Sequence, residues 1–166
     1  IDGARAGVAD GIAALAPYAH AAGVQLAIEP LHPMFASDRC VISTLAQALA
    51  IAEAHPVGVV GVALDTYHVW WDPELYPLIE RAAGRIATFQ LADWTTPLPA
   101  GVVTGRALPG DGCVELARIW TAVAATGYAD AVEVEVFNDD LWAKPGVQIL
   151  AETKAAFDRV RAQLGE

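Results

Sequence analysis

The chain has 166 residues, of which 55% are hydrophobic and 18% charged, enough apolar material for one domain with a sizeable core and too much for a disordered chain. Ten basic residues against 20 acidic ones give a net charge of −10, and with Lys and Arg scattered singly a polyanion such as DNA is repelled. No apolar run approaches the ~18 residues that cross a bilayer, which excludes a membrane-spanning helix.

A helix is predicted from Asp2 or Gly3, with Val8, Ile12, Leu15, Ala19 and Ala22 on one face, a kink at Pro17 and an end at Gly23. Val24–Ile28 reads as a short apolar strand closed by Glu29 and Pro30. Ser43 is placed to cap a helix over Thr44–His55. A second strand covers Val59–Leu64 and ends at Asp65, and a helix follows over Glu74–Ala83. Ile86–Leu91 is the third strand, and a Pro- and Gly-rich loop runs from Asp93 to Gly112. Glu115–Thr126 is helical, Ala131–Val136 is the fourth strand, and a last helix runs from Pro145 to about Leu164. A helix followed by four strand–helix units predicts a parallel α/β sheet with helices on both faces, in one domain over residues 1–166. Both an open doubly wound sheet and part of a (β/α) barrel fit this order.

Ligands of parallel α/β folds bind at the carboxyl ends of the strands. The first strand ends on Glu29, the second on Asp65, the third carries Gln90, and the fourth carries Glu133 and Glu135. Polar residues inside apolar strands are costly unless paired or metal-bound. A carboxylate or amide on each of four strands makes an oxygen-rich set that suits a hard divalent ion. The alternative for each is a structural hydrogen-bond acceptor. Glu133 and Glu135 share a face, with Glu135 nearer the carboxyl end. His32 and His68 follow strands directly, Arg106 lies in the long loop, and Trp94 follows the third strand, so all four are candidates for contact with a ligand. His20 and His55 fall on helices as surface or packing residues. The distant cysteines Cys40 and Cys113 read as free thiols of a reducing, cytoplasmic compartment. There is no Gly-x-Gly-x-x-Gly, P-loop or Gly-x-Ser-x-Gly, and neither lysine lies in a strand, which argues against a Schiff-base aldolase.

The ordered series Ala-Ile-Glu29-Pro-Leu-His-Pro, Leu-Asp65-Thr-Tyr-His68, Phe-Gln90-Leu-Ala-Asp93, Arg106-x-x-Pro-Gly-x-Gly and Val-Glu135-Val-Phe-Asn resembles the sugar phosphate isomerase/epimerase family of xylose isomerase-like TIM barrels. The resemblance implies one divalent ion held by Glu29, Asp65, Gln90 and Glu135. Mn²⁺ or Mg²⁺ is favoured over Co²⁺ or Zn²⁺, because Gln90 stands where the family more often has His. It implies that Glu29 and Glu135 are catalytic, and that His68 and Arg106, with His32 and Trp94, contact a small sugar. The chemistry implied is isomerisation or epimerisation by proton transfer next to a carbonyl through a metal-stabilised enediolate. An inosose-type dehydratase with His68 as the acid, and a sugar-binding module without turnover, are the competing expectations. A nuclease is disfavoured by the charge and the small number of histidines. A full barrel has eight strands and about 250 residues. The chain therefore resembles strands five to eight only, a half barrel that is either a fragment or associates with the missing half or a second copy. Ile1–Ala6 does not read as a signal peptide, and the lack of an initiator Met suits a processed chain or a piece of a longer one.

Overall fold

The computed structural model describes residues 1–99 and 101–165. Helix α1 (Asp2–Ala21) ends where Gly23 takes a φ of +68°, a left-handed cap that glycine adopts without strain. Strand β1 (Leu26–Ile28), helix α2 (Leu45–Ala52), strand β2 (Val60–Asp65), the one-turn helix α3 (Thr66–Val69) and helix α4 (Leu75–Arg81) follow. Strand β3 (Ile86–Leu91) leads to the short strands β4 (Asp93–Trp94) and β5 (Arg106–Ala107). Helix α5 (Leu116–Ala125), strand β6 (Val132–Val134), helix α6 (Asp139–Trp142) and helix α7 (Gly146–Ala162) complete the chain.

Strands β1, β2, β3 and β6 form one sheet in that order, and each neighbouring pair is parallel. A doubly wound sheet reverses its strand order at a switch point; this one does not, so its order is that of a barrel wall. The two faces of the sheet differ. Ile28, Val62, Leu64, Phe89 and Leu91 join one buried cluster with Leu45 and Leu49 of α2, Ile79 of α4, and Ile119 and Val123 of α5. Register puts Ala27 beside Gly61, Ala63 beside Thr88, and Asp65, Gln90 and Glu133 in one row on the other face. The expectation of helices on both faces is therefore corrected: the helix-packed core lies on one face. Small and polar residues at alternate positions make the other.

Several local expectations also shift. In α1 the inward stripe is Val8, Ile12, Ala16 and Ala19, while Leu15 is 50% exposed, and the helix runs on through Pro17. The cap of α2 is Thr44, not Ser43. Thr44 Oγ1 accepts from the Gln47 amide at 3.2 Å, and Gln47 Oε1 accepts from the Ser43 amide at 2.8 Å, a reciprocal pair that fixes the helix start. The edge strands are shorter than predicted, and the Pro- and Gly-rich loop carries the antiparallel β4–β5 pair. Residue 100, within that loop, lies outside the described residues.

These packing assignments separate two leucines. Leu49→Ala, at a fully buried site, should cost about 2–5 kcal/mol. Leu15→Ala should stay within about 0.5 kcal/mol of the parent. Urea unfolding of both variants checks the pair.

Candidate active site

Glu29 follows β1, Asp65 ends β2 and Glu135 follows β6, so three carboxylates meet at the carboxyl ends of the parallel strands. They surround Arg106, which β5 carries in. A cavity of about 260 Å³ opens here, lined at its polar end by Glu29, His68, Arg106 and Glu135. Leu31, Phe35, Tyr67, Val103 and Phe137 form apolar walls, and Arg39 stands among them.

Arg106 is only 4% exposed. Its Nη1 donates to Asp65 Oδ2 at 2.7 Å, to Glu135 Oε2 at 3.0 Å and to the Glu135 carbonyl at 3.1 Å. Its plane is held between the rings of Tyr67 and Phe137, 4.7 and 4.8 Å from their centroids. Its Nε is buried without a partner among the described residues. The other oxygen of Asp65, Oδ1, accepts from the Tyr67 amide at 2.9 Å and caps α3.

The position of Arg106 is set from a distance by Asp93. This fully buried carboxylate accepts from the amides of Trp94, Gly110 and Val114 at 2.8–2.9 Å, and so gathers the turn after β5. Gly112 passes so close that a Cβ would overlap the Asp93 carboxylate and the Trp94 carbonyl, which explains the glycine. From the other side, Asn138 Nδ2 donates to the Arg106 carbonyl at 2.9 Å and ties β5 to the segment after β6.

His68 has one assigned role for each ring nitrogen. The His32 amide donates to its Nδ1 at 3.1 Å, so Nδ1 is an acceptor and the proton of the neutral ring sits on Nε2. Burial first, then Arg106 and His32, push its pKa down to about 3, so the ring is neutral. Nε2–H lies 3.8 Å from both Glu29 Oε1 and Asp65 Oδ2, and 3.1 Å from Arg106 Nη2. Arg106 Nη2 and His68 Nε2 thus lie side by side with no acceptor within hydrogen-bond distance of either among the described residues, which leaves a place for a ligand oxygen.

The carboxylates carry more negative charge than the fold compensates. Burial, and then the nearby Asp65 and Glu135, raise Glu29 to about 7 against the pull of Arg106. Burial also raises Asp65 to about 6, outweighing Arg106 and the Tyr67 amide. One guanidinium among three carboxylates leaves a double negative charge when all are ionised. Hard oxygen donors in that charge state fit a divalent cation. Glu29, Asp65 and His68 present ligand-type atoms within 4.8 Å of one another. The tautomer makes His68 the poor member of that trio, since its inward nitrogen bears the proton.

The remaining predicted residues fall nearby without lining the cavity. Gln90 is level with Asp65 on the neighbouring strand, and its amide donates to Glu133 Oε2 at 3.2 Å. His32 lies behind His68, with its ring 4.8 Å from Trp94 and its Nδ1 accepting from the Met34 amide. Trp94 is buried in an aromatic cluster with Tyr67 and Trp70. Sequence reasoning missed Tyr67, Phe137 and Asp93. Each sits beside a residue it did select, within Asp-Thr-Tyr-His, Val-Glu-Val-Phe-Asn and Phe-Gln-Leu-Ala-Asp.

Comparison with known proteins agrees with this arrangement. A parallel wall of successive strands with polar groups gathered at its carboxyl end is the arrangement of a (β/α) barrel. The chain belongs to the xylose isomerase-like TIM barrel family, whose match covers residues 1–160. It is 28% identical over 150 residues to inosose isomerase of Bacillus subtilis (strain 168), across 87% of this chain and 52% of that protein. It is 30% identical to L-ribulose 3-epimerase of Mesorhizobium japonicum, across 78% of this chain and 40% of that one. The chain thus spans about half the length of the relatives it matches. A crystal structure of a protein from Sinorhizobium meliloti 1021 superposes with a TM-score of 0.92 at 44% identity, over 96% of this chain and 58% of that one. The IolI protein with a bound zinc atom shares the fold, at a TM-score of 0.83 and 23% identity, over 96% of this chain and 57% of its own.

The raised carboxyl groups have a pH consequence. A folded pKa above the unfolded value stabilises the protein below the unfolded pKa and loses that contribution as pH rises through the folded one. For Glu29 and Asp65, with ordinary values of 4.5 and 3.8, the loss begins near pH 4 and is complete just above the folded values of about 7 and about 6. Thermal unfolding of metal-free protein should therefore give a lower Tm at pH 8 than at pH 5, and Glu29→Gln should reduce the difference.

Proposed function

We propose that the protein is a divalent-metal-dependent isomerase or epimerase of polyhydroxylated ketones, acting by proton transfer next to the carbonyl. The observation that carries this is the grouping of Glu29, Asp65 and Glu135 around Arg106, with the donors of Arg106 and His68 converging beside them. The relatives are named for an inosose and for L-ribulose, both ketones with a hydroxyl on the next carbon, and this supports the same substrate class.

Glu29, Asp65 and Glu135 would hold the ion. Gln90 would complete the set from the same sheet face, because its amide nitrogen is engaged by Glu133 and its oxygen is left as the acceptor. Such an ion, when bound, supplies Lewis acidity to the carbonyl and the neighbouring hydroxyl oxygen. The oxygen donors favour Mn²⁺ or Mg²⁺, while the zinc of IolI keeps Zn²⁺ among the candidates together with Co²⁺.

Arg106 Nη2–H and His68 Nε2–H hold the carbonyl oxygen and stabilise its growing negative charge. Glu29, which a bound cation would keep ionised, is suited to take a proton from the adjacent carbon. Glu135, fixed by Arg106, serves from the second side. Return to the same carbon from the opposite side inverts it; return to the former carbonyl carbon moves the carbonyl. Inosose-type dehydration is disfavoured because it needs an acid for the departing hydroxyl, and His68 is neutral with a low pKa.

The sheet also supports the half-barrel reading. Strands β1 and β6 are its outer members, and Glu133 and Ala27 on the polar face are exposed. A second (β/α) unit pairing with those edges would wall the cavity on its open side.

Deuterium exchange tests the chemistry. In D₂O with Mn²⁺, the protein should incorporate deuterium beside the carbonyl of L-ribulose or an inosose. Glu29→Gln and Glu135→Gln should each lower that rate by about 10²-fold or more with circular dichroism unchanged. Exchange that persists in both variants would contradict the assignment.

A further inference from the structure

His68 is held by a turn whose shape is set by His32. A proline restricts the residue before it to extended backbone, and His32, before Pro33, has φ −48° and ψ 140°. The His32 side chain caps the 3-10 segment Pro33–Phe35: its Nδ1 accepts from the Met34 amide at 3.2 Å. The Phe35 amide closes the same turn on the His32 carbonyl at 2.9 Å. Just upstream, the Leu31 amide donates to the Ile42 carbonyl at 2.9 Å, so the strip is tied on both sides of His32.

This turn brings two contacts to one ring. The His32 amide donates to His68 Nδ1 at 3.1 Å, and the buried Phe35 ring meets the His68 ring edge to face at 5.7 Å. The His32 ring also lies 4.8 Å from Trp94 and 5.6 Å from Trp71, and the Trp71 indole donates to the His68 carbonyl at 2.8 Å. The amide decides between two arrangements of His68. With the proton on Nε2, that nitrogen and Arg106 Nη2, 3.1 Å away, are both donors. With the proton on Nδ1, Nε2 would accept from Arg106 and the two groups would satisfy each other. That second arrangement sets Nδ1–H against the His32 N–H, donor against donor, and is excluded while the His32 amide holds its direction.

We infer that His32 is a positioning residue: its imidazole sets the turn that aims the His32 amide at His68, and this fixes the tautomer in which His68 and Arg106 both donate to a ligand oxygen. The inference rests on the proton-transfer reading, in which those donors hold the carbonyl oxygen, and adds the group that keeps them donors. His32 acts through His68, and its own ring packs behind the cavity.

Three variants separate this role from packing. His32→Asn can accept from the Met34 amide as an Asx turn does. His32→Leu keeps bulk beside the two tryptophans without an acceptor, and His32→Ala replaces it should circular dichroism show it unfolded. The first readout is the His68 tautomer, from nitrogen NMR shifts of the ring in metal-free, isotope-labelled protein, assigned with His68→Gln. The unsubstituted protein and His32→Asn should show His68 protonated at Nε2 alone, and His32→Leu should show both tautomers. The second readout is deuterium incorporation into L-ribulose with Mn²⁺. His32→Leu should lower kcat about ten-fold with KM within about two-fold, because donors to a developing oxyanion act mainly in the transition state. His32→Asn should recover most of kcat. A tautomer unchanged in His32→Leu, a proton on Nδ1 in the unsubstituted protein, or equal loss of kcat in His32→Asn and His32→Leu would overturn the inference. A tautomer that responds as stated in a protein that exchanges no deuterium leaves His32 its role and removes the proton-transfer chemistry. Exchange with a tautomer indifferent to His32 does the reverse.

Discussion

The buried guanidinium of Arg106 is the contact on which the site depends. It links the end of β2, through Asp65, to the segment after β6, through Glu135, while Tyr67 and Phe137 hold it from both sides. A buried cation of this kind is tolerated only when its partners are ionised and well placed. Here the partners are more numerous than one cation satisfies. Burial first, and the neighbouring carboxylates second, raise the pKa values of Glu29 and Asp65. The fold has therefore concentrated negative charge at a cost to its own stability, as sites built for a cation or for proton transfer do.

The scaffold makes this concentration feasible. One face of the sheet is spent on an apolar core shared with α2, α4 and α5. That leaves the other face free to carry small and polar residues in register. Asp65, Gln90 and Glu133 form one such row. Around it the supporting contacts are local and numerous: three amides gathered by Asp93, the His32 amide on His68, and Asn138 on the Arg106 carbonyl.

Much of this arrangement was legible in the sequence. Strand-end positions of Glu29, Asp65 and Glu135 follow from short apolar runs and a period of two, which need no tertiary information. Alternation of strand and helix likewise indicated the parallel sheet. Other features depend on contacts distant in the chain. The core of α1 turned away from Leu15 because Ala16 and Ala19 face the sheet, a choice that an alanine-rich helix leaves open. Whether helices cover one face or both was hidden because β2 is apolar or small almost throughout, with Gly61 and Ala63 resembling core residues by composition alone. Trp94 and His32 were selected for pocket contact; they pack behind the cavity, because Tyr67 and Phe35 occupy the wall in front of them. Asp93 looked like the first residue of a loop, and its function as the anchor of that loop is visible only once Gly110 and Val114 are brought back to it.

We propose that the charge gathered at Glu29, Asp65 and Glu135 binds a divalent cation. Titration of metal-free protein with Mn²⁺ at pH 7.5, followed by the loss of the free-ion electron paramagnetic resonance signal, tests it most directly. One tightly bound ion per chain is expected, with affinity lost in Asp65→Asn and in Glu29→Gln under conditions where circular dichroism shows each variant folded. No saturable binding, or equal binding by Asp65→Asn, would contradict it.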